Sequence, residues 1–243
     1  MRVFNRRREA ARASAAAPIL VVTGMKREAA CVAGDGVVPL CSGANVARLR
    51  KALDELRGME FSAVVSFGLA GGLDYSLRPG DVVIADTVVA GERRHPTHLR
   101  LSDVLTEAVV AGGCKPIPGA VVGVDQPAMD TGAKTVLREA NRAVAVDMES
   151  HVALEFAQAR KIPLGVMRAI SDPAARALPP LAAKALTPSG DIDNATVARE
   201  LFRAPGQIGG LILAGLDSRA AFGSLGRCGP LLGPLLRLVL ADL

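Results

Sequence analysis

Residues 61–72 read FSAVVSFGLAGG, in which seven residues, five of them apolar, pass directly into a cluster of glycines. Such a run is typical of a strand buried on both faces, and the glycines after it predict a tight turn. On either side of this segment, apolar runs alternate with stretches of helical periodicity. The pattern predicts an α/β domain in which helices cover a mainly parallel sheet.

The other apolar runs place the remaining strands of this sheet. The predicted strands are 18–24, 36–41, 61–67, 81–89, 120–124, 143–148 and 163–170. Helices are predicted between them, with Asn45 as the N-terminal cap of one and Thr131 as the cap of another. We expect a single domain over residues 18–243, preceded by a basic, disordered arm at residues 1–17.

Composition and charge exclude some classes of partner. The formal net charge is +5, but residues 1–17 hold five arginines against one glutamate, so the rest of the chain is nearly neutral. Aromatic residues make up 3% of the chain, too few to stack on nucleic-acid bases. We therefore expect no nucleic-acid partner. Four cysteines without a regular spacing indicate reduced thiols, which is typical of a cytoplasmic protein.

The C-terminal segment, residues 205–243, is rich in leucine and is predicted to be helical. Pro230 and Pro234 interrupt it, and no apolar stretch reaches the roughly 18 residues needed to span a bilayer. These helices have three alternative roles. They cover the core, pack in an oligomer, or lie on a membrane surface, and the first two are the more common outcome for such stripes.

Acidic residues follow three of the predicted strands. Glu28 comes after the first strand, Glu149 after the strand that ends at residue 148, and Asp172 after the last. Ligands in open α/β sheets bind at the carboxyl ends of the strands, so these acids and the glycine cluster are expected at one edge. Taken singly, each acid also has a structural explanation, as a residue of a first helical turn or of a turn before proline. His95 and His98 are separated by Pro96 and predict no metal site.

The order of these segments resembles the 5′-methylthioadenosine/S-adenosylhomocysteine nucleosidases and their purine nucleoside phosphorylase relatives. The matching segments are GMKRE at 24–28, SG at 42–43, GLAGG at 68–72 with RPGD at 78–81, VDME at 146–149 and RAISD at 168–172. The resemblance extends from about residue 19 to residue 175. It implies a three-layer α/β/α sandwich with a mixed, partly barrelled central sheet. It also implies a homo-oligomer and no metal or organic cofactor.

The resemblance assigns roles to individual residues. Asp172 matches the proton donor to N7 of the departing purine, Glu149 the carboxylate that grips the ribose hydroxyls, and Glu28 the acid that activates the attacking water. Water activation opposite an acid-assisted leaving group follows the logic of inverting glycosidases. Met148 matches the residue that lines the ribose. The other residues that the resemblance implies in substrate binding are Gly68, Leu69, Ala70, Gly71, Ser171, Arg168 and Pro127.

Three departures point to one subgroup of this superfamily. Leu69 stands where the nucleosidases have serine, and Ser66 stands where hexameric phosphorylases have a phosphate-binding arginine. The aromatic residue that stacks on adenine in the nucleosidases is replaced near Pro127. Together with ALPP at 177–180 and the leucine-rich end, these residues resemble the hopanoid-associated phosphorylases. That subgroup is associated with the release of adenine from adenosylhopane, a nucleoside whose 5′ carbon bears a triterpenoid.

We therefore expect an enzyme that cleaves the purine–ribose bond of a small or lipid-linked nucleoside, with adenosylhopane as substrate. The alternatives are a methylthioadenosine or adenosylhomocysteine nucleosidase and a non-catalytic nucleoside-binding member. Hydrolysis and phosphorolysis both stay open, with Lys26, Arg27 or backbone amides as alternative ligands of phosphate. The expected location is the cytoplasm, with a peripheral contact at the inner face of the membrane as an alternative.

Overall fold

The computed structural model describes residues 17–179, 181, 187, 191, 193, 197, 199 and 208–240. Most of the predicted arm, residues 1–16, lies outside them. In chain order the elements of these residues are β1 (Ile19–Thr23), α1 (Lys26–Val32), β2 (Val37–Cys41), α2 (Val46–Glu55), β3 (Ala63–Gly72), β4 (Val82–Ala90), β5 (Arg93–Pro96), α3 (Leu99–Ala111), β6 (Pro116–Gly123), α4 (Thr131–Asn141), β7 (Ala145–Asp147), α5 (Ser150–Arg160), β8 (Leu164–Asp172) and α6 (Ile208–Leu240).

The strands form one mixed sheet that closes on itself. β2, β1 and β3 are parallel neighbours, and β3 also pairs with β8 in parallel and with β7 antiparallel. β4 lies parallel to β6 and antiparallel to β8, and β6 is parallel to β7. The ring β3–β7–β6–β4–β8 is thus a closed five-stranded barrel, with β1, β2 and β5 as extensions.

Helices cover both faces of the sheet. One apolar cluster joins β1, β3, β4 and β8 to α3 and α6, and a second joins strands to α2 and α5. In α2 the Asn45 side chain accepts a hydrogen bond from the Arg48 amide, as predicted, and Leu49 and Leu53 are buried. Each buried leucine contributes about 2 kcal/mol. The predicted three-layer sandwich with a partly barrelled sheet is confirmed.

The structure corrects the prediction that prolines interrupt the C-terminal segment. α6 is one continuous helix with Pro230 and Pro234 inside it. An internal proline costs a helix about 3 kcal/mol. Both prolines are exposed, and the opposite face of the helix offsets their cost because its apolar side chains are buried against α1 and α3. These side chains are Ala221, Phe222, Leu225, Cys228, Leu232 and Leu236.

The first part of α6 is different, because Ile212, Leu213 and Leu216 are about half exposed. This part approaches the segment that follows β8, where Arg176 forms an ion pair with Asp217. None of the helices in the described part of the chain combines the length and apolar character that crossing a membrane requires.

A second correction concerns the glycine cluster, which was predicted to form a tight turn. Gly68 to Gly72 instead continue β3 to its end, with a break in the register against β8 between Ala70 and Gly71. The sequence suggested a turn because glycine is rare inside strands. Glycine occurs here because the carboxyl groups of Glu28 and Asp172 lie close to the backbone of β3.

Candidate active site

A pocket of about 170 Å³ lies at the strand ends of the barrel. The residues that line it are Gly24, Met25, Glu28, Ala44, Leu69, Ala70, Gly71, Val124, Pro127, Ala128, Val146, Asp147, Met148, Glu149, Ser171, Asp172 and Leu178. The structure thus brings together the three acids predicted from the sequence. Gly68 and Arg168, which were also predicted at the site, lie behind this lining.

Glu28 lies at the third position of α1 and is 3% exposed. Its Oε2 accepts hydrogen bonds from the amides of Gly24 and Met25, at 2.7 and 2.8 Å, and its Oε1 accepts one from the Leu69 amide at 2.8 Å. The carboxylate therefore caps α1 and ties it to β3. Burial raises the pKa of Glu28, and the three amides and the Arg168 charge lower it.

Gly68 allows this arrangement because a side chain there would occupy the place of the Glu28 carboxyl. A Cβ on Gly68 would lie 2.7 Å from three atoms of that group, and φ at Gly68 is +155°. We expect Gly68→Ala to displace the Glu28 carboxyl and lower kcat about 100-fold, the effect of a 1 Å misplacement in an active site. Gly58→Ala, where a Cβ meets nothing within 4 Å, is the matched control. An unchanged kcat in Gly68→Ala would contradict the role of this contact.

Glu149 is the N-terminal cap residue of α5 and is also buried. Its Oε1 accepts from Ser42 Oγ at 3.4 Å, and its Oε2 lies 3.5 Å from Arg168 Nη1. Burial is the main cause that raises the pKa of Glu149 to about 7, with Arg168 lowering it and the acids Asp147 and Glu28 raising it. The group therefore changes its charge near neutral pH.

Arg168 is fully buried and holds the acids from behind the pocket. Its Nε lies 2.6 Å from Asp147 Oδ2, an ionic contact in which the N–H is not aligned for a hydrogen bond. Asp147 in turn accepts from the backbone amides of Glu149 and Ser150 at the start of α5. A buried arginine of this kind needs anionic partners. In this structure Arg168 orients acids rather than lining the pocket.

Asp172 ends β8 with both carboxyl oxygens engaged. Oδ2 lies 2.5 Å from Lys134 Nζ in a buried ion pair, and Oδ1 accepts from Ser171 Oγ at 2.7 Å. A Cβ on Gly71 would lie 3.1 Å from Oδ2, which explains the second glycine in the cluster. Burial raises the pKa of Asp172, and Lys134, Ser171 and Arg176 lower it.

Aliphatic side chains form the remaining wall of the pocket. Val124, Pro127 and Ala128 come from the segment after β6, and Leu178 is tied to it by a hydrogen bond from its amide to the Met129 carbonyl. Among the described lining residues there is no aromatic side chain to stack on a flat base. The part of the chain that the structure describes also shows no cluster of three potential metal ligands.

Residues 12–204 match the family model described as the phosphorylase superfamily, which covers more than half of the chain. The chain belongs to the phosphorylase superfamily. This membership confirms the predicted class of enzyme, a nucleoside phosphorylase or nucleosidase. No curated protein matches the chain.

Solved structures share the fold of this superfamily member at low sequence identity. The Helicobacter pylori 5′-methylthioadenosine/S-adenosylhomocysteine nucleosidase has a TM-score of 0.64 at 15% identity, over 90% of this chain and 97% of its own. The futalosine hydrolase of the same organism also has a TM-score of 0.64 at 15% identity, over 92% and 98%. The Campylobacter jejuni nucleosidase has 0.59 at 14%, over 88% and 99%.

The sequence did not reveal every residue of this phosphorylase superfamily site. Lys134 and Ser42 contact Asp172 and Glu149, yet neither was predicted to. Ser42 lies in a segment already matched by resemblance, which was the available signal. Lys134 lies in α4, for which Thr131 was predicted to be the N-terminal cap. In the structure Asp130 accepts the capping hydrogen bond instead. A lysine inside a surface helix gives no signal of burial.

Proposed function

We propose that this protein is a nucleosidase that hydrolyses the N-glycosidic bond of a purine nucleoside and releases adenine. The observation that supports this most is the position of two buried carboxyl groups along β3. Glu28 contacts the backbone at Gly68 and Leu69, and Asp172 lies against Gly71. Both carboxyl groups line the same pocket, and both are buried. An acid and a base that line one pocket can act on opposite sides of a sugar, which is the arrangement of inverting glycosidases.

In the proposed reaction Asp172 gives its proton to N7 of the purine, the C1′–N9 bond breaks, and the electron pair of that bond leaves with the base. Water adds through its oxygen to C1′ while Glu28 takes a proton from it. Glu149, when ionised, binds the ribose hydroxyls and stabilises the positive charge on the sugar. Exchange with solvent returns Glu28 and Asp172 to their starting states.

Water is favoured over phosphate as the nucleophile by what surrounds Glu28. The amides of Gly24, Met25 and Leu69, which would otherwise bind an anion, all donate to the carboxylate. Lys26 pairs with Asp191, and the Arg27 guanidinium lies 4.1 Å above the Phe222 ring. The two Helicobacter pylori relatives are a nucleosidase and a hydrolase by name.

For the substrate, we propose a nucleoside with a large apolar group on the 5′ carbon, and adenosylhopane is the compound that the resemblance suggests. The aliphatic pocket wall at Pro127 and Leu178 supports this. So does the exposed apolar part of α6, which approaches the segment after β8 through the Arg176–Asp217 ion pair. We also propose a peripheral membrane contact of α6 and a homo-oligomer. Methylthioadenosine is the alternative substrate, since a mutant of the Helicobacter pylori nucleosidase was solved with 5′-methylthioadenosine in its active site.

The test is adenine release by the purified full-length chain from adenosylhopane in detergent, beside methylthioadenosine and adenosine, with and without phosphate. We expect adenine from adenosylhopane at a rate independent of phosphate, with ribosylhopane rather than its phosphorylated form as the other product. A requirement for phosphate would make the protein a phosphorylase. Efficient release from methylthioadenosine alone would favour the ordinary nucleosidase, and no release from any of the three would overturn the proposal.

A further inference from the structure

Lys134 is an unusual residue for its position. α4 is a surface helix, and Lys134 is its one buried side chain, at 1% exposed. A leucine at this position would anchor the helix without the cost of removing an ammonium group from water. The presence of lysine therefore requires a partner that compensates the cost.

The Lys134 ammonium finds three acceptors, one for each of its N–H bonds. These are Asp172 Oδ2 at 2.5 Å, the Pro173 carbonyl at 2.9 Å and the Arg176 carbonyl at 3.0 Å. The two carbonyls belong to the segment that leaves β8. One side chain thus fixes both the acid and the turn that follows it, and the ammonium has no donor left for a substrate.

We propose that Lys134 is a positioning residue for the acid of the reaction: it holds Asp172 through Oδ2 and compensates the carboxylate that remains after the proton has moved to the base. This inference rests on the proposed function. Lys134 does not line the pocket, so it acts through Asp172. Without the ammonium, proton transfer would leave an unpaired carboxylate in a buried site.

The charges around Asp172 define the expected pH dependence. β3 and β7 present Gly71, Gly72 and Val146 to it, which do not titrate, so the charged neighbours are Lys134 and Arg176. Arg176 is itself paired with Asp217. Burial raises the pKa of Asp172 and Lys134 opposes that rise. Asp172 must carry a proton to act, so activity is lost as the pH rises through its pKa. Removal of Lys134 moves this loss to higher pH.

The experiment compares the pH profile of kcat for the full-length protein and for Lys134→Met. A nearby opposite charge lowers the pKa of an acid by about 1–3 units, so we expect the basic limb to move up by at least about one pH unit. The acidic limb, set by the ionisation of Glu28 and Glu149, stays in place. KM changes less than kcat. Lys51→Met, at an exposed position of α2, is the matched control and keeps the wild-type profile.

Two further results distinguish a failure of the role proposed for Lys134 from a failure of the proposed function. Lys134→Arg retains the charge and is expected to retain the basic limb, so a shifted limb in this variant would overturn the inference even if Lys134→Met does not fold. A folded Lys134→Met with the wild-type basic limb would do the same. Failure of the wild-type protein to release any purine would instead refute the proposed function.

Discussion

Asp172→Asn is expected to lower the rate of adenine release by about 10²–10⁴-fold, the contribution of a positioned general acid. An amide has the size of the carboxyl group but cannot give up a proton to the base. The amide oxygen can still accept from Lys134 Nζ, but the buried ammonium loses its counter-charge, so we expect the variant to fold with a lower melting temperature. The measurement is kcat for adenine release, with circular dichroism and the melting temperature as checks on the fold.

A second substrate tests the assigned role of Asp172 more sharply. A 4-nitrophenyl riboside has a leaving group that departs without a proton, so the acid has nothing to contribute. We expect Asp172→Asn to retain most of its activity on this substrate while losing it on the nucleoside. Asp103→Asn, at an exposed position of α3, serves as the control on both. Equal losses on the two substrates would show that the substitution distorts the site and that the missing proton donor is not the cause.

Strand direction explains the position of two of the three acids. Glu28 and Asp172 follow β1 and β8, which both run parallel to β3, so the carboxyl ends of these strands meet at one edge of the sheet. Glu149 follows β7, which is antiparallel to β3, and it reaches the same site because β7 pairs with the end of β3 at Gly71. The helix-dipole explanation of Glu28 also holds, since its carboxylate caps α1. The structural and functional interpretations of this residue are therefore compatible, because one buried carboxylate both caps the helix and lines the pocket.

What the sequence could not show depends on contacts between distant segments. Gly68 and Gly71 resemble turn residues until the carboxyl groups of Glu28 and Asp172 are seen against them. Lys134 is separated from Asp172 by 38 residues, so no local pattern links them. Continuity of α6 through Pro230 likewise depends on burial of its opposite face. Local propensity is a weak guide wherever tertiary packing decides the outcome.

Glu28→Gln is expected to have an effect of similar size, a loss of about 10²–10⁴-fold in kcat, because the base that takes the proton from water is gone. The hydrogen bonds between Glu28 and the backbone make this loss larger. Both carboxylate oxygens accept from backbone amides, at Gly24 and Met25 on one side and Leu69 on the other. A glutamine must direct its NH₂ group at one of these donors, so at least one amide loses its acceptor and the side chain shifts.

The effect of phosphate on the rate distinguishes two explanations of the loss of activity in Glu28→Gln. If water attacks C1′, phosphate changes neither the wild-type rate nor the rate of the variant, and the sugar product is free in both. If phosphate attacks instead, Glu28 is not needed as a base, and the variant should keep its rate in phosphate and form a sugar phosphate. Glu107→Gln, at an exposed position of α3, controls for the loss of one negative charge. We expect attack by water. A phosphate ion could bind the three backbone amides only by displacing the Glu28 carboxylate, which already accepts a hydrogen bond from each of them.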